Sequence, residues 1–147
     1  ALKELLKRVD LFVINEGEAR ELSKEASLVK AAKVIRGFGP RVLIIKRGEY
    51  GALMFTGSSV FAAPAYPLEE IFDPTGAGDT FAGGLMGYLA NTSDITEENI
   101  RRAIIYGSVM ASFNVEAFSL QRLHTLKPAE IKERYYEFKR LTQFEDI

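Results

Sequence analysis

The stretch Asp73-Pro74-Thr75-Gly76-Ala77-Gly78-Asp79-Thr80-Phe81 is a glycine-rich turn that ends in an acid and runs into helix-like sequence. At the start of a helix the first backbone N–H groups lack intrahelical partners, and the aligned peptide dipoles add partial positive charge there. Such an end binds phosphate. Gly76 and Gly78 carry no β-carbon, so the turn accepts left-handed dihedrals and lets a phosphoryl group come close to the amides. Amides fixed in advance also stabilise charge that grows on a transferring group. Asp79 sits beside that anion site as a carboxylate able to take a proton. The plainer alternative is a capped turn, with Asp or Thr as the N-cap of an ordinary helix.

Two other glycine motifs are excluded. No G-x-x-x-x-G-K-S/T occurs, so a P-loop is absent, and the G-x-G-x-x-G of a dinucleotide site breaks because Phe81 stands where its third glycine belongs. Extended through Ala82-Gly83-Gly84, the string D-P-T-G-A-G-D-T-F resembles the signature of the ribokinase-like, or PfkB, carbohydrate and nucleoside kinases. The family pattern is D-T-x-G-A-G-D, and Pro74 takes its second place. The resemblance implies that Asp79 is the catalytic base and that Gly76, Ala77 and Gly78 supply the anion hole for the γ-phosphate.

Two further segments carry the resemblance. Asn15-Glu16-Gly17-Glu18 follows the apolar run Leu11-Phe12-Val13-Ile14, which reads as a buried parallel strand with Asn15 at its carboxyl end. Ligands collect at that edge of open α/β sheets. The segment is similar to the family's N-x-x-E motif, which implies that Asn15 and Glu18 help to place magnesium and phosphate. On the residues alone, Asn15 equally reads as a cap for a helix from Glu16 to Ser23 with an acidic first turn. Lys46-Arg47-Gly48-Glu49-Tyr50-Gly51 lies between the strand-like runs Arg41 to Ile45 and Ala52 to Phe55. It reads as a hairpin turn, and it resembles the family loop that touches the nucleotide. The resemblance implies that Lys46 and Gly48 face the ATP phosphates and ribose while Gly51 shapes the turn.

The same resemblance extends toward the carboxyl end. It implies that Gly107 lines the adenine pocket and that Asp73, Thr75 and Ser119 surround a monovalent cation such as potassium. Val115-Glu116-Ala117-Phe118 departs from the glycine-containing loop of many members. Small residues around Gly107, Ser108 and Ala111 also suit helix packing, which demands them independently of any ligand. His124 stands alone in a Leu-rich turn and is assigned no chemistry.

Composition bounds the remaining classes. The net charge of −1 over 147 residues, with both signs interspersed, gives no reason to expect nucleic acid or anionic membrane as a partner. The absence of Cys excludes disulfides and thiolate metal sites. No stretch approaches about 18 uninterrupted apolar residues, so no membrane span is expected. These features fit a cytoplasmic enzyme.

The coarse order of elements is β-α-α-β-β-β-α-α-α. A helix is expected from Leu28 to Phe38, with Val29, Ala32, Val34 and Ile35 as its apolar stripe, and a strand at Val60 to Ala63. After Asp79, Phe81, Leu85 and Leu89 recur four apart, while Gly83, Gly84 and Gly87 permit a close neighbour. Thr96 is an N-cap candidate for the next helix, and the last helix repeats Ile131, Tyr135, Phe138 and Leu141 on one face. The pattern predicts an α/β fold with a mostly parallel sheet and an antiparallel edge. The resemblance makes it the three-layer α/β/α fold of ribokinase.

The motifs correspond to the carboxyl-terminal half of one such kinase domain, over residues 1–147, with the substrate and lid half expected to lie outside this chain. The expected function is ATP-dependent transfer of the γ-phosphate to a hydroxyl of a sugar or nucleoside, with Mg²⁺; the resemblance leaves the oligomeric state open, since homodimers in that family commonly form through the lid. As an isolated piece the chain is expected to be inactive. The alternatives are a nucleotide-binding module without kinase activity and a structural domain whose glycine turn binds nothing.

Overall fold

The apolar run after Asp10 forms a strand that passes straight into a helix. In the computed structural model, which describes residues 1–147, the first elements are α1 (Leu2–Leu6), β1 (Leu11–Asn15), α2 (Glu16–Ser23) and α3 (Leu28–Arg36). They are followed by β2 (Val42–Lys46), a 3₁₀ turn at Gly48–Tyr50, β3 (Ala52–Phe55) and β4 (Val60–Ala63). The remaining elements are α4 (Ala77–Thr92), α5 (Glu97–Asn114), α6 (Gln121–Thr125) and α7 (Pro128–Thr142). The chain separates into two compact units, Ala1–Ala62 and Ala63–Ile147.

The first unit is organised by β2, whose Val42, Leu43, Ile44 and Ile45 are all buried. An apolar strand buried on successive positions belongs inside a sheet, where β-branched side chains pack on both faces. It pairs in parallel with β1, from Leu11 opposite Val42 to Asn15 opposite Lys46, and antiparallel with β3, from Leu43 opposite Phe55 to Lys46 opposite Ala52. The sheet order is β1-β2-β3-β4. A parallel pair requires a crossover connection, and α2 with α3 provide it. The sheet of this chain is therefore mixed, with one parallel pair and a hairpin beside it.

Helix ends in this unit follow from local chemistry. The α2 N-cap is Asn15, in a reciprocal capping box with Glu18, and its C-cap Lys24 turns out at a φ of 60°. The α3 N-cap Ser27 accepts from the Lys30 N–H, and the helix stops at Gly37, short of the expected Phe38. Its buried face is Ala31, Ala32 and Ile35, whereas Val29 points to solvent. Ile35 joins Ile14, Ala19, Leu43, Ile45 and Phe55 in one core, with Phe12, Leu22, Leu28, Phe38 and Leu53 packed around it.

In the second unit α4 and α5 form a helical hairpin. Thr96 caps α5 as its sequence predicts. The buried Asn99 side chain donates to Thr92 Oγ1 and to the Asp94 carbonyl, each at 2.7 Å, and so ties the start of α5 to the end of α4. Phe81, Leu85 and Leu89 are buried in the expected register. Of Gly83, Gly84 and Gly87, only Gly84 meets a neighbour: a β-carbon there would lie 3.1 Å from the Gly107 α-carbon, while Gly83 and Gly87 face open space. Across the contact, a β-carbon on Gly107 would lie 2.6 Å from the Phe81 carbonyl. A further core joins Val109 and Phe113 of α5 to Phe138 of α7, with Ile131 and Tyr135 beside it and Leu141 left exposed. The short α6, around His124, is an element that the spacing of apolar residues does not reveal. No helix of the protein is long and apolar enough to cross a membrane.

These glycines give an internal contrast. Gly107→Ala forces a methyl group against backbone and should destabilise the fold by about 1–3 kcal/mol, the usual range for overpacking. Gly83→Ala adds its methyl group to open space and should stabilise by up to about 1 kcal/mol through helix propensity. Denaturant unfolding of both variants checks this, and equal effects would count against the helix contact.

Candidate active site

The turn before α4 is built by short-range bonds. Asp73 accepts the Thr75 N–H at 2.9 Å, and that backbone bond, assisted by the Thr75 hydroxyl and the Ser119 N–H, holds its carboxyl below the ordinary Asp range. The Ala77 N–H donates to the Pro74 carbonyl at 3.3 Å, closing a four-residue turn. Gly76 stands at φ 80° and ψ −2°, the values of the third residue of a type II turn, which glycine adopts without a β-carbon penalty. Gly76 is also the N-cap of α4, with no side chain capping the helix. The plain capping alternative thus does not describe this turn, because Asp73 bonds to the turn itself.

The helix start is consequently open. The first intrahelical bond runs from Thr80 N–H to the Gly76 carbonyl at 2.8 Å, and the N–H groups of Gly76, Gly78 and Asp79 have no protein acceptor. Of the three amides expected in the anion hole, Gly76 and Gly78 are free, and Ala77 is engaged with Pro74. Asp79 lies in the first turn of α4 with an exposed side chain that forms no ion pair. A carboxylate and several unpaired amides therefore share one helix end.

The turn is held from the end of α5. The buried Asn114 side chain donates its amide to the Thr75 carbonyl at 2.9 Å. The Val115 carbonyl, left without an intrahelical donor at the helix end, accepts the N–H of Phe72 at 2.9 Å and that of Asp73 at 3.4 Å. Glu116 follows, paired with Arg134 at 2.5 Å and Arg122 at 3.3 Å. Ser119 takes a left-handed φ of 56°. Asp73, Thr75 and Ser119 are thus brought to one corner, although the Thr75 carbonyl already accepts Asn114. No group of three or more His, Cys, Asp or Glu side chains gathers anywhere to hold a metal.

In the first unit, Asn15 and Lys46 are register partners at the carboxyl ends of the parallel strands. Asn15 Oδ1 accepts the Glu18 N–H at 2.8 Å, and Glu18 Oε2 accepts the Asn15 N–H at 3.2 Å. Both side chains are exposed, and the oxygen atoms they present are the hard donors that Mg²⁺ accepts through water. The residues fit an ion held in that way. Gly48 at φ 56° and Gly51 at φ 82° flank the 3₁₀ turn, and a β-carbon on Gly48 would meet nothing within 4 Å. Glu16, between Arg20 and Arg47, is held below the ordinary Glu range, chiefly by the Arg20 hydrogen bond.

Gly107 is placed in the α4–α5 contact, where its missing side chain is filled by Phe81 backbone. The sequence assigns no role to Asn114, Val115 or Arg47. Arg47 adds a buried Nε that lies 3.6 Å from Glu16 without a hydrogen bond. Asn114 and Val115 act through contacts across 39 residues or more, and nothing in local sequence marks them.

Known proteins resemble this arrangement. A cytidine kinase of Thermococcus kodakarensis is 43% identical over 90 residues, which are 59% of this chain and 32% of that protein. A ribokinase of Staphylococcus aureus is 32% identical over 123 residues, 80% of this chain and 39% of that protein. The chain thus spans well under half the length of these relatives. Among solved structures, aminoimidazole riboside kinase from Salmonella enterica, complexed with aminoimidazole riboside and an ATP analogue, superposes with a TM-score of 0.78 at 27% identity. That match covers 91% of this chain and 46% of the other, and it shows the ribokinase-like α/β fold. The model of the pfkB family carbohydrate kinases matches residues 1–126, which include the turn at Asp73, the capped Asn15 and the Lys46 loop. The chain therefore belongs to the pfkB carbohydrate kinase family.

Proposed function

We propose that this chain carries the ATP-binding and catalytic part of a kinase that transfers the γ-phosphate of ATP to a hydroxyl of a sugar or nucleoside. The observation that carries the proposal is the α4 start, where the N–H groups of Gly76, Gly78 and Asp79 are unpaired beside the exposed Asp79 carboxylate. The relatives are sugar and nucleoside kinases, which supports kinase activity and leaves the acceptor open. The chain is assigned the carboxyl-terminal half of the kinase domain on the motifs it carries, and it covers 46% of the aminoimidazole riboside kinase chain.

Asp79 accepts the proton of the acceptor hydroxyl as that oxygen bonds to the γ-phosphorus and ADP leaves. The amides of Gly76 and Gly78 receive the oxygen atoms of the phosphoryl group in transit, joined by Ala77 once its N–H gives up Pro74. Phosphoryl transfer passes through a loose transition state, so positioning and charge neutralisation outweigh base strength. Lys46 and Gly48 meet the nucleotide phosphates and ribose, with Gly51 keeping the turn and Gly107 backing the adenine. Asn15 and Glu18 would hold Mg²⁺, which would supply charge neutralisation on the phosphates. Asp73, Thr75 and Ser119 form the corner for a monovalent cation.

In the complete protein, Asp79→Asn should lower kcat by roughly 10²–10⁴-fold, the range for loss of a general base. Unchanged turnover in a coupled ADP-release assay would remove Asp79 from the chemistry. Lys46→Met should raise the KM for ATP by about 10-fold or more, as expected for a lost charge-assisted hydrogen bond, and leave the acceptor KM nearly unchanged. ATP binding by calorimetry without ADP release across sugars and nucleosides would instead identify a nucleotide-binding module.

A further inference from the structure

Asn114 closes α5 and is 1% exposed, and its amide nitrogen reaches the Thr75 carbonyl at 2.9 Å. We infer that Asn114 is a positioning residue, which fixes the Thr75–Gly76 peptide and thereby aims the Gly76 N–H into the anion site. A peptide unit is planar and trans, so its carbonyl and its N–H point in opposite directions. Holding the Thr75 oxygen on the Asn114 side therefore turns the Gly76 N–H away from it.

The alternative orientation is specific. Type I and type II turns differ by a half-turn of the central peptide, which in Pro74–Ala77 is the Thr75–Gly76 unit. Gly76 at φ 80° and ψ −2° is the type II form. In the type I form the Gly76 N–H would face the Asn114 amide, donor against donor, and the Thr75 carbonyl would point into the anion site. Asn114 thus excludes the arrangement that would repel a phosphoryl group. Neighbouring bonds hold the frame on which this choice is made, with Thr75 N–H on Asp73 and the Phe72 and Asp73 N–H groups on Val115.

The inference rests on the phosphoryl-transfer role proposed for this turn, and two kinds of measurement separate them. In the complete protein, Asn114→Asp keeps the side-chain shape and replaces the donor with an acceptor facing the Thr75 carbonyl. It should lower kcat about 10-fold or more, approaching the 10²–10³-fold cost of losing one oxyanion donor. Affinity for ADP should stay within about 2-fold, while affinity for ADP with aluminium fluoride, a mimic of the transferring phosphoryl group, should fall in step with kcat. Gly76→Ala leaves Asn114 in place and should give the same signature. Its β-carbon would meet only the Asn114 amide at 3.8 Å, so the positive φ alone opposes it. Equal weakening of both complexes, or no change in either, would overturn the positioning role. Independently of any activity, a crystal structure of the Asn114→Leu variant should show Gly76 moved to negative φ. A Gly76 that keeps its positive φ there overturns the inference, whereas a wild-type protein that releases no ADP defeats only the kinase reading.

Discussion

The close approach of α4 and α5 at Gly84 and Gly107 is the constraint on which the second unit depends. A β-carbon on Gly107 would stand 2.6 Å from the Phe81 carbonyl, so the separation of the helices is set two residues beyond Asp79. Asn114 follows Gly107 by about two helical turns and lies on the same face of α5. With the helix separation fixed, that face carries Asn114 to Thr75. The glycine contact and the amide bond are thus two ends of one alignment. One sets how close the helices come, and the other sets how the turn is oriented.

The antiparallel hairpin brings the carbonyl-rich end of α5 to the amide-rich end of α4. The negative partial charge of the one offsets the pull that the other would exert on the phosphate proposed there. The structure limits that opposition by engaging the carbonyl groups. Val115 accepts two N–H groups, and Thr75 accepts Asn114. Glu116 is likewise neutralised, held between Arg122 and Arg134, with the Arg134 guanidinium 3.8 Å from the centre of the Phe113 ring. Removing one arginine leaves Glu116 paired with the other. The anionic group left at the corner is Asp73.

The sequence made the local elements legible and left the distant contacts hidden. The span of α2, from Glu16 to Ser23, follows from an N-cap and an acidic first turn, and it is observed with those ends. The register Phe81, Leu85 and Leu89 holds because periodicity four is a property of the helix itself. By contrast, Gly83, Gly84 and Gly87 looked alike in sequence, and of these only Gly84 meets a partner. Val29 fitted the helical stripe of α3 and points outward, because the buried face is centred on Ala31, Ala32 and Ile35. Asn114 stands at the end of a helix rich in small residues. Its partner lies 39 residues earlier, beyond the reach of any local pattern.

The Asn15 segment shows why a structural and a functional role need not compete. The capping box uses Asn15 Oδ1 and Glu18 Oε2, yet both side chains remain exposed. A carboxylate has two oxygen atoms, and the Glu18 Oε1 atom is not used by the box. Capping also restricts the side chain, because an N–H bond at 3.2 Å fixes the Glu18 carboxylate near the strand end. A ligand arriving at that edge meets a donor group whose conformational freedom has already been lost in folding. The cap would therefore lower the entropic cost of the binding proposed there. Asn15 is the register partner of Lys46, so the two parallel strands end side by side at this edge. The N-cap is therefore compatible with the nucleotide contact proposed above, because the capping box leaves Glu18 Oε1 unused.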